Sequence, residues 1–202
     1  MRLEDYHAAV IQLVECHLAK VDAMGSNPIR RSQFFNSSSN GLLGGVMKIT
    51  EFLCKEALTN DLKATTKSEV IQEMVELLID AGAIEKKYKN KIIEVLMARE
   101  ALGSTAIGQG IAIPHGKSDS TDKLVAALAI SKKGINFDSL DGEPAHIFFL
   151  LVAPIDSAGP HLKALARVSR LLKDKFFRES LKSTKTSKEM LELISREDVR
   201  VS

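Results

Sequence analysis

"GSTAIGQGIAIPHGK" runs from Gly103 to Lys117. Gly103, Ser104, Thr105, Gly108 and Gly110 lead into a short apolar run, Ile111–Ile113, which reads as a strand. The run stops at Pro114, and His115 stands beyond it, followed by Gly116 and Lys117. Upstream, Lys89–Leu102 is predicted to be a helix that delivers Arg99 and Glu100 to the start of this stretch. Downstream, Leu124–Ile130 and His146–Ala153 read as strands, with "DGEP" at Asp141–Pro144 as a turn before the second.

Further out, Thr66 and Glu69 make a capping box. Val70, Met74, Leu77, Leu78 and Ala81 follow on one helical face, and Gly82 ends that helix. Ser157–Lys173 is expected to be helical with Pro160 in its first turn. A second capping box, Thr186 and Glu189, precedes a final helix carrying Met190, Leu193 and Ile194. Strands interleaved with helices at this density predict an α/β sandwich, not a bundle or barrel. Residues 1–46 differ from the rest: Leu3–Met24 has the spacing of an amphipathic helix, and Gly25–Val46 has the composition of a flexible linker.

Composition narrows the function. At 202 residues and 45% hydrophobic, the chain can build a real core, and a formal net charge of +2 argues against nucleic-acid binding through bulk charge. The longest apolar runs, Leu124–Ile130 and Ile147–Ala153, are strand-sized and far too short to cross a membrane. The N-terminus carries Glu4 and Asp5 without an apolar h-region, so a cytoplasmic protein is expected. Cys16 and Cys54 form neither a metal-ligand spacing nor a disulfide framework.

The glycine-rich stretch fits neither familiar phosphate loop. A Walker loop lacks its lysine, because Gln109 and Gly110 follow Gly108, and a dinucleotide fingerprint lacks its third glycine, because Ile113 occupies that place. What remains is small-residue access to His115, with the Ser104 and Thr105 hydroxyls and nearby N–H groups as candidate anion donors. His161 lies in the first turn of its predicted helix, where the positive dipole end disfavours protonation. Arg99 offers a forked, permanent cation, and Lys117 a second positive charge. A nucleophilic imidazole, a second imidazole to orient it and cations for phosphoryl oxygens are what phosphoryl transfer to histidine needs. No carboxylate cluster indicates magnesium, and no metal or cofactor is expected. His146 reads as a packed core histidine, and a metal-dependent hydrolase built on His115, His146 and His161 lacks ligand spacing and carboxylates.

"ARE-ALGSTAIGQGIAIPHGK", "GINFDSLDGEPAHIFFLLVAP" and "HLKALARVSRLLKD", in that order, resemble the fructose/mannitol-type (type 2) EIIA domain of the bacterial phosphotransferase system. The stand-alone, nitrogen-regulatory proteins are the most similar subgroup. The resemblance covers about Met47–Arg196 and implies a mixed β-sheet flanked by helices. It implies that His115 takes a phosphoryl group from an HPr-like carrier, that His161 orients and stabilises it, and that Arg99 lies near the phosphate. It also implies partners downstream: an EIIB domain with an acceptor cysteine for sugar uptake, or target proteins bound according to phosphorylation state. The regulatory role is the expected one, with sugar uptake and a non-phosphorylated binding module as the alternatives. An apolar docking face is expected around Ile107–Ile113.

The expected division is an extension over 1–46 and a phosphocarrier domain over 47–202. A chain beginning at Met47 should therefore fold cooperatively and accept phosphate, as thermal unfolding would show. A molten or insoluble product would place the extension inside the core.

Overall fold

The computed structural model describes residues 47–200. The helix expected over Leu3–Met24 and the linker over Gly25–Val46 lie outside the described residues. After a 3₁₀ turn at Ile49–Glu51 come β1 (Leu53–Thr59), α1 (Lys67–Asp80), a second 3₁₀ turn at Lys86–Tyr88, and α2 (Lys89–Ala101). Then follow β2 (Ala106–Gly108), β3 (Ile111–Ala112), β4 (His115–Ser118), β5 (Val125–Ile135) and β6 (Ala145–Pro154). Three helices close the chain: α3 (Ala158–Leu172), α4 (Lys175–Lys182) and α5 (Ser187–Arg200).

The strands form one mixed six-stranded sheet in the order β1-β5-β6-β3-β2, with β4 also paired to β6. The β5–β6 and β2–β3 pairs are antiparallel, while β1 runs parallel to β5, and β3 and β4 run parallel to β6. Every residue of Val125–Ile130 and Ile147–Ala153 is at most 2% exposed. Such unbroken apolar runs belong to strands buried on both faces. On one pleat, Ala127, Ala129, Phe148, Leu150 and Val152 join a core cluster with Val70, Met74 and Leu78 of α1 and Ile92 and Leu96 of α2. The other pleat is buried as well, on the side of α3–α5, whose inward residues include Val168, Phe177, Leu181, Met190 and Ile194. No helix among the described residues is long and apolar enough to cross a membrane.

Local chemistry explains the helix ends. At α1 the Thr66 side chain accepts from the Glu69 N–H and the Glu69 carboxylate accepts from the Thr66 N–H, a complete capping box. Its far end closes with Gly82 at φ +67°, the Gly82 N–H donating to Ile79 and the Ala83 N–H to Leu78. The second box is displaced by one residue. Thr186 accepts from the Glu189 N–H, but the Glu189 carboxylate accepts from Lys185 N–H at 2.8 Å.

Four strands and helices escape the sequence patterns, the short β2 among them. Strand β1 carries a register shift between Leu53 and Leu58, and its consecutive residues Lys55 and Glu56 are both exposed, so no period of two survives. Strand β4 begins at His115, where the sequence pattern ended a strand. The carbonyl of Pro114 still accepts from Leu151 N–H, so β3 and β4 form one line along β6 across the proline. Helix α4 starts close after the end of α3, with Asp174 accepting from Phe177 N–H at 2.8 Å.

A buried ion pair ties the last helix to the rest. Arg167 of α3 donates through Nε to Asp198 Oδ1 at 2.8 Å, and Asp198 Oδ2 accepts from the Ile49 N–H at 2.6 Å. Both side chains are almost fully buried, at 3% and 1% exposure. Removing one partner of such a pair strands the other charge and costs about 3–5 kcal/mol. Asp198→Ala is expected to lose that much in a urea melt. Arg167→Met combined with Asp198→Leu should lose less than Asp198→Ala alone, because no charge is left behind.

Candidate active site

His115 opens β4, directly after the proline that separates β4 from β3. Its ring Nδ1 lies 2.7 Å from the Ile113 carbonyl oxygen. A carbonyl can only accept, so Nδ1 carries the proton and Nε2 holds the lone pair. The next residue points to the opposite face of the pleat. A Cβ at Gly116 would lie 3.0 Å from Val95 Cγ1 and 3.4 Å from Leu96 Cδ2, so glycine here allows α2 to seat closely against β4. The His115 ring is held below the usual histidine range chiefly by burial, with the Arg99 charge adding to the effect. The bond to Ile113 and the Glu100 charge work in the other direction.

His161 lies in the first turn of α3, its N–H donating to the Ser157 carbonyl at 3.0 Å. Pro160 precedes it, among the early helical positions whose N–H groups have no intrahelical partner. The two imidazole centroids are 5.6 Å apart, with the rings tilted by 51°. His161 is 6% exposed, and its Nδ1 is buried with no hydrogen-bond partner among the described residues. Its pKa is pushed down to about 4, first by burial and then by His115 and Lys117. The direction is the one expected from the helix dipole, but desolvation is the larger cause.

Arg99 sits in the last turn of α2, where Nη1 donates to the Gly103 carbonyl at 2.9 Å, and its other N–H groups have no partner among the described residues. Its charge reaches His115, and that of Lys117 reaches His161, so the histidines and cations selected from the sequence converge. The hydroxyls do not join them. Ser104 donates to the Phe137 carbonyl at 2.5 Å, and Thr105 donates to Glu100 through both its hydroxyl and its N–H. These groups build the loop and are not available to an anion.

The expected docking face around Ile107–Ile113 is corrected in part: Ile111 and Ile113 are each 3% exposed, Ile107 is half-buried, and Leu102 at the end of α2 is 86% exposed. The glycines serve a tight hairpin between β2 and β3, with Gln109 and Gly110 at φ +57° and +75°. Asp141 clamps this hairpin by accepting from Gln109 N–H at 2.7 Å. His146 stands apart. It lies well before Leu151, the β6 partner of His115, and its Nδ1 donates to the Ser131 carbonyl at 2.9 Å. Among the described residues no group of three or more His, Cys, Asp or Glu side chains is placed to hold a metal ion.

The depressed His161 pKa has a consequence for stability. The unfolded ring protonates near 6.5 and the folded ring only near 4, so below 6.5 the unfolded state binds more protons. Stability from this group is therefore complete above pH 6.5 and falls with pH until about 4, by on the order of 3 kcal/mol. Chemical denaturation across this window should show a shallower decline for His161→Gln than for the unsubstituted protein. Parallel declines would mean that His161 is not buried as a neutral ring.

Known proteins resemble this chain in sequence and in fold. Residues 51–197 match the family profile described as "Phosphoenolpyruvate-dependent sugar phosphotransferase system, EIIA 2". A nitrogen regulatory protein of Bradyrhizobium diazoefficiens is 36% identical over 149 residues, covering 74% of this chain and 95% of the relative. The fructose-specific EIIABC component of Bacillus subtilis is 38% identical over 152 residues, covering 75% of this chain and 24% of that protein. Among solved structures, the nitrogen regulatory protein IIA-Ntr of Neisseria meningitidis superposes with a TM-score of 0.65 at 30% identity, covering 72% of this chain and 98% of the other. The mannitol IIA of Escherichia coli superposes with a TM-score of 0.59 at 27% identity, covering 69% and 96%. A mixed sheet flanked by helices is thus shared with proteins of known family, and the chain belongs to the type 2 EIIA family of phosphotransferase-system phosphocarriers.

Proposed function

We propose that His115 accepts a phosphoryl group on Nε2 from the phosphohistidine of an HPr-like carrier. The observation that carries this reading is the 2.7 Å contact between His115 Nδ1 and the Ile113 carbonyl, which leaves Nε2 as the nucleophile. The Nε2 lone pair attacks phosphorus as the donor's P–N bond breaks, and the bond electrons return to the donor imidazole. The proton stays on Nδ1, held by the Ile113 carbonyl, so none need leave the ring. His161, neutral at pH 7, donates a hydrogen bond to a phosphoryl oxygen, and Arg99 and Lys117 supply the positive charge that the incoming group requires. The orphaned Nδ1 of His161 supports this role, since a buried polar atom without a partner is costly unless the bound state provides one.

The regulatory role is the better supported of the two downstream fates. The nitrogen regulatory relative aligns over 95% of its length, and the nitrogen regulatory structure superposes more closely than the mannitol one, at 0.65 against 0.59. In this reading the protein works in the cytoplasm and binds target proteins according to whether His115 carries phosphate. Onward transfer to the cysteine of an EIIB domain is the second reading. It is favoured by a structure described as a complex of enzyme IIA mannitol with phosphorylated IIB mannitol from Escherichia coli, at 26% identity and a TM-score of 0.59. Residues 47–202 would form the phosphocarrier domain and residues 1–46 an extension of it.

The two histidines should fail differently. Incubated with a phosphorylated HPr-like donor, His115→Ala is expected to take up no acid-labile phosphate at any time. His161→Ala should still be modified on His115, but roughly 10²–10³ times more slowly, the usual loss for one preorganised donor. A time course with the modified residue mapped by mass spectrometry decides. Stable phosphate on His161 in His115→Ala would reverse nucleophile and helper.

A further inference from the structure

Among the described residues, Glu100 is the buried carboxylate whose charge reaches His115. It is 6% exposed and follows Arg99 in the last turn of α2. A buried carboxylate close to the landing place of a phosphoryl group is electrostatically costly, so its presence asks for a reason. Its hydrogen bonds supply one. Oε1 accepts from Lys67 Nζ at 2.9 Å, while Oε2 accepts from the Thr105 N–H at 2.9 Å and the Thr105 hydroxyl at 2.6 Å. Thr105, 4% exposed, is thereby fixed at the entrance to β2. The Thr105 carbonyl in turn accepts from the Ile113 N–H at 3.0 Å, and the Ile113 carbonyl accepts from His115 Nδ1 at 2.7 Å. Hydrogen bonds joined by the backbones of Thr105 and Ile113 thus connect Glu100 to the imidazole.

We propose that Glu100 is a positioning residue for His115: through the backbones of Thr105 and Ile113 it sets the carbonyl that selects the Nδ1–H tautomer and aims Nε2 outward. Lys67 completes the device. Its ammonium also pairs with Asp138 at 2.7 Å and lies 4.9 Å over the Phe137 ring, and it balances the buried charge at the carboxylate oxygen that Thr105 leaves free. Lys67 opens α1, Glu100 lies at the end of α2 and Thr105 leads into β2, so the relay joins three elements around the nucleophile. Without Glu100, both Thr105 donors would be buried with no acceptor, and the peptide they hold would have to turn to find one. Among the described residues, the charged and titratable groups that act on the two rings are Arg99 and Glu100 from α2 and Lys117 from β4, with His115 acting on His161.

The proposal rests on His115 being the phosphoryl acceptor, but its primary readout does not require phosphorylation. Ring ¹⁵N NMR of the full chain reports which nitrogen of His115 carries the proton. The unsubstituted protein should show Nδ1–H. Glu100→Ala should show a mixture with Nε2–H and accept phosphate on His115 about 10- to 100-fold more slowly at unchanged donor KM, as for other partners that orient a functional imidazole. Glu100→Gln, which keeps an oxygen for Thr105 but turns a donor toward Lys67 or Thr105, should fall between. It should also lower the pH at which His115 titrates, because a charge that favours the imidazolium is gone. Thr105→Val, keeping only the N–H bond, should shift the tautomer in the same direction by less. A folded Glu100→Ala that retains the Nδ1–H tautomer overturns the proposal, whether or not its rate falls. If Glu100→Ala does not fold, an unshifted tautomer in both Glu100→Gln and Thr105→Val overturns it instead. Failure of the unsubstituted protein to take phosphate would remove the acceptor reading, while the tautomer comparison would still decide the relay.

Discussion

Strand β6 is hydrogen-bonded along both edges, antiparallel to β5 on one side and parallel to β3 and β4 on the other, and every other placement in the domain follows from that. Its apolar run is buried on both faces, so a one-residue slip would exchange the side chains of two packed cores at once. Pro114 interrupts the second edge only on the donor side. Its carbonyl still accepts from Leu151, and the chain resumes pairing at the next residue with His115 opposite Leu151. A break in a ladder on a fixed strand is how a short segment turns a side chain toward a site without becoming mobile.

Around that break the protein holds two neutral imidazoles 5.6 Å apart beside two cations, Arg99 and Lys117. Burial is the largest influence on each ring and disfavours its protonated form, and the cations act in the same sense. The result is a region of positive charge in which the His115 ring itself stays neutral. An incoming phosphoryl group brings the negative charge that such an environment favours. One negative charge, Glu100, is tolerated there because Lys67 faces it and Thr105 fills its other oxygen. The buried pair of Arg167 and Asp198 plays a different part, joining α3 to α5 and, through the Ile49 N–H, to the turn ahead of β1.

Much of this was legible in the chain itself. The two central strands declare themselves as continuous apolar runs, because strands buried on both faces need no polar residues. The helix bounded by Thr66 and Gly82 carries its own start and stop chemistry, since caps are local hydrogen bonds between residues a few positions apart. His115, Arg99 and His161 could be selected because glycine, proline and a helix start surround them in ways that local geometry makes readable. Elements whose shape depends on neighbours were not legible. Strand β1 loses its alternation to a register shift, β4 exists only because β6 offers it an edge, and α4 spans only eight residues.

Sequence alone therefore determined the α/β class, the central strands, the principal helices and the candidate reacting groups, because those depend on residue chemistry and short-range spacing. Tertiary structure decided how those groups are held. Ser104 and Thr105 looked like donors for an anion, and only their bonds to Phe137 and Glu100 reveal that they are already used. Ile111 and Ile113 looked like an exposed apolar face until β3 was seen packed along β6. The tautomer of His115 and the depressed pKa of His161 also belong to the fold. A hydrogen bond to a carbonyl and the removal of water from a ring both depend on which segments the fold brings beside it.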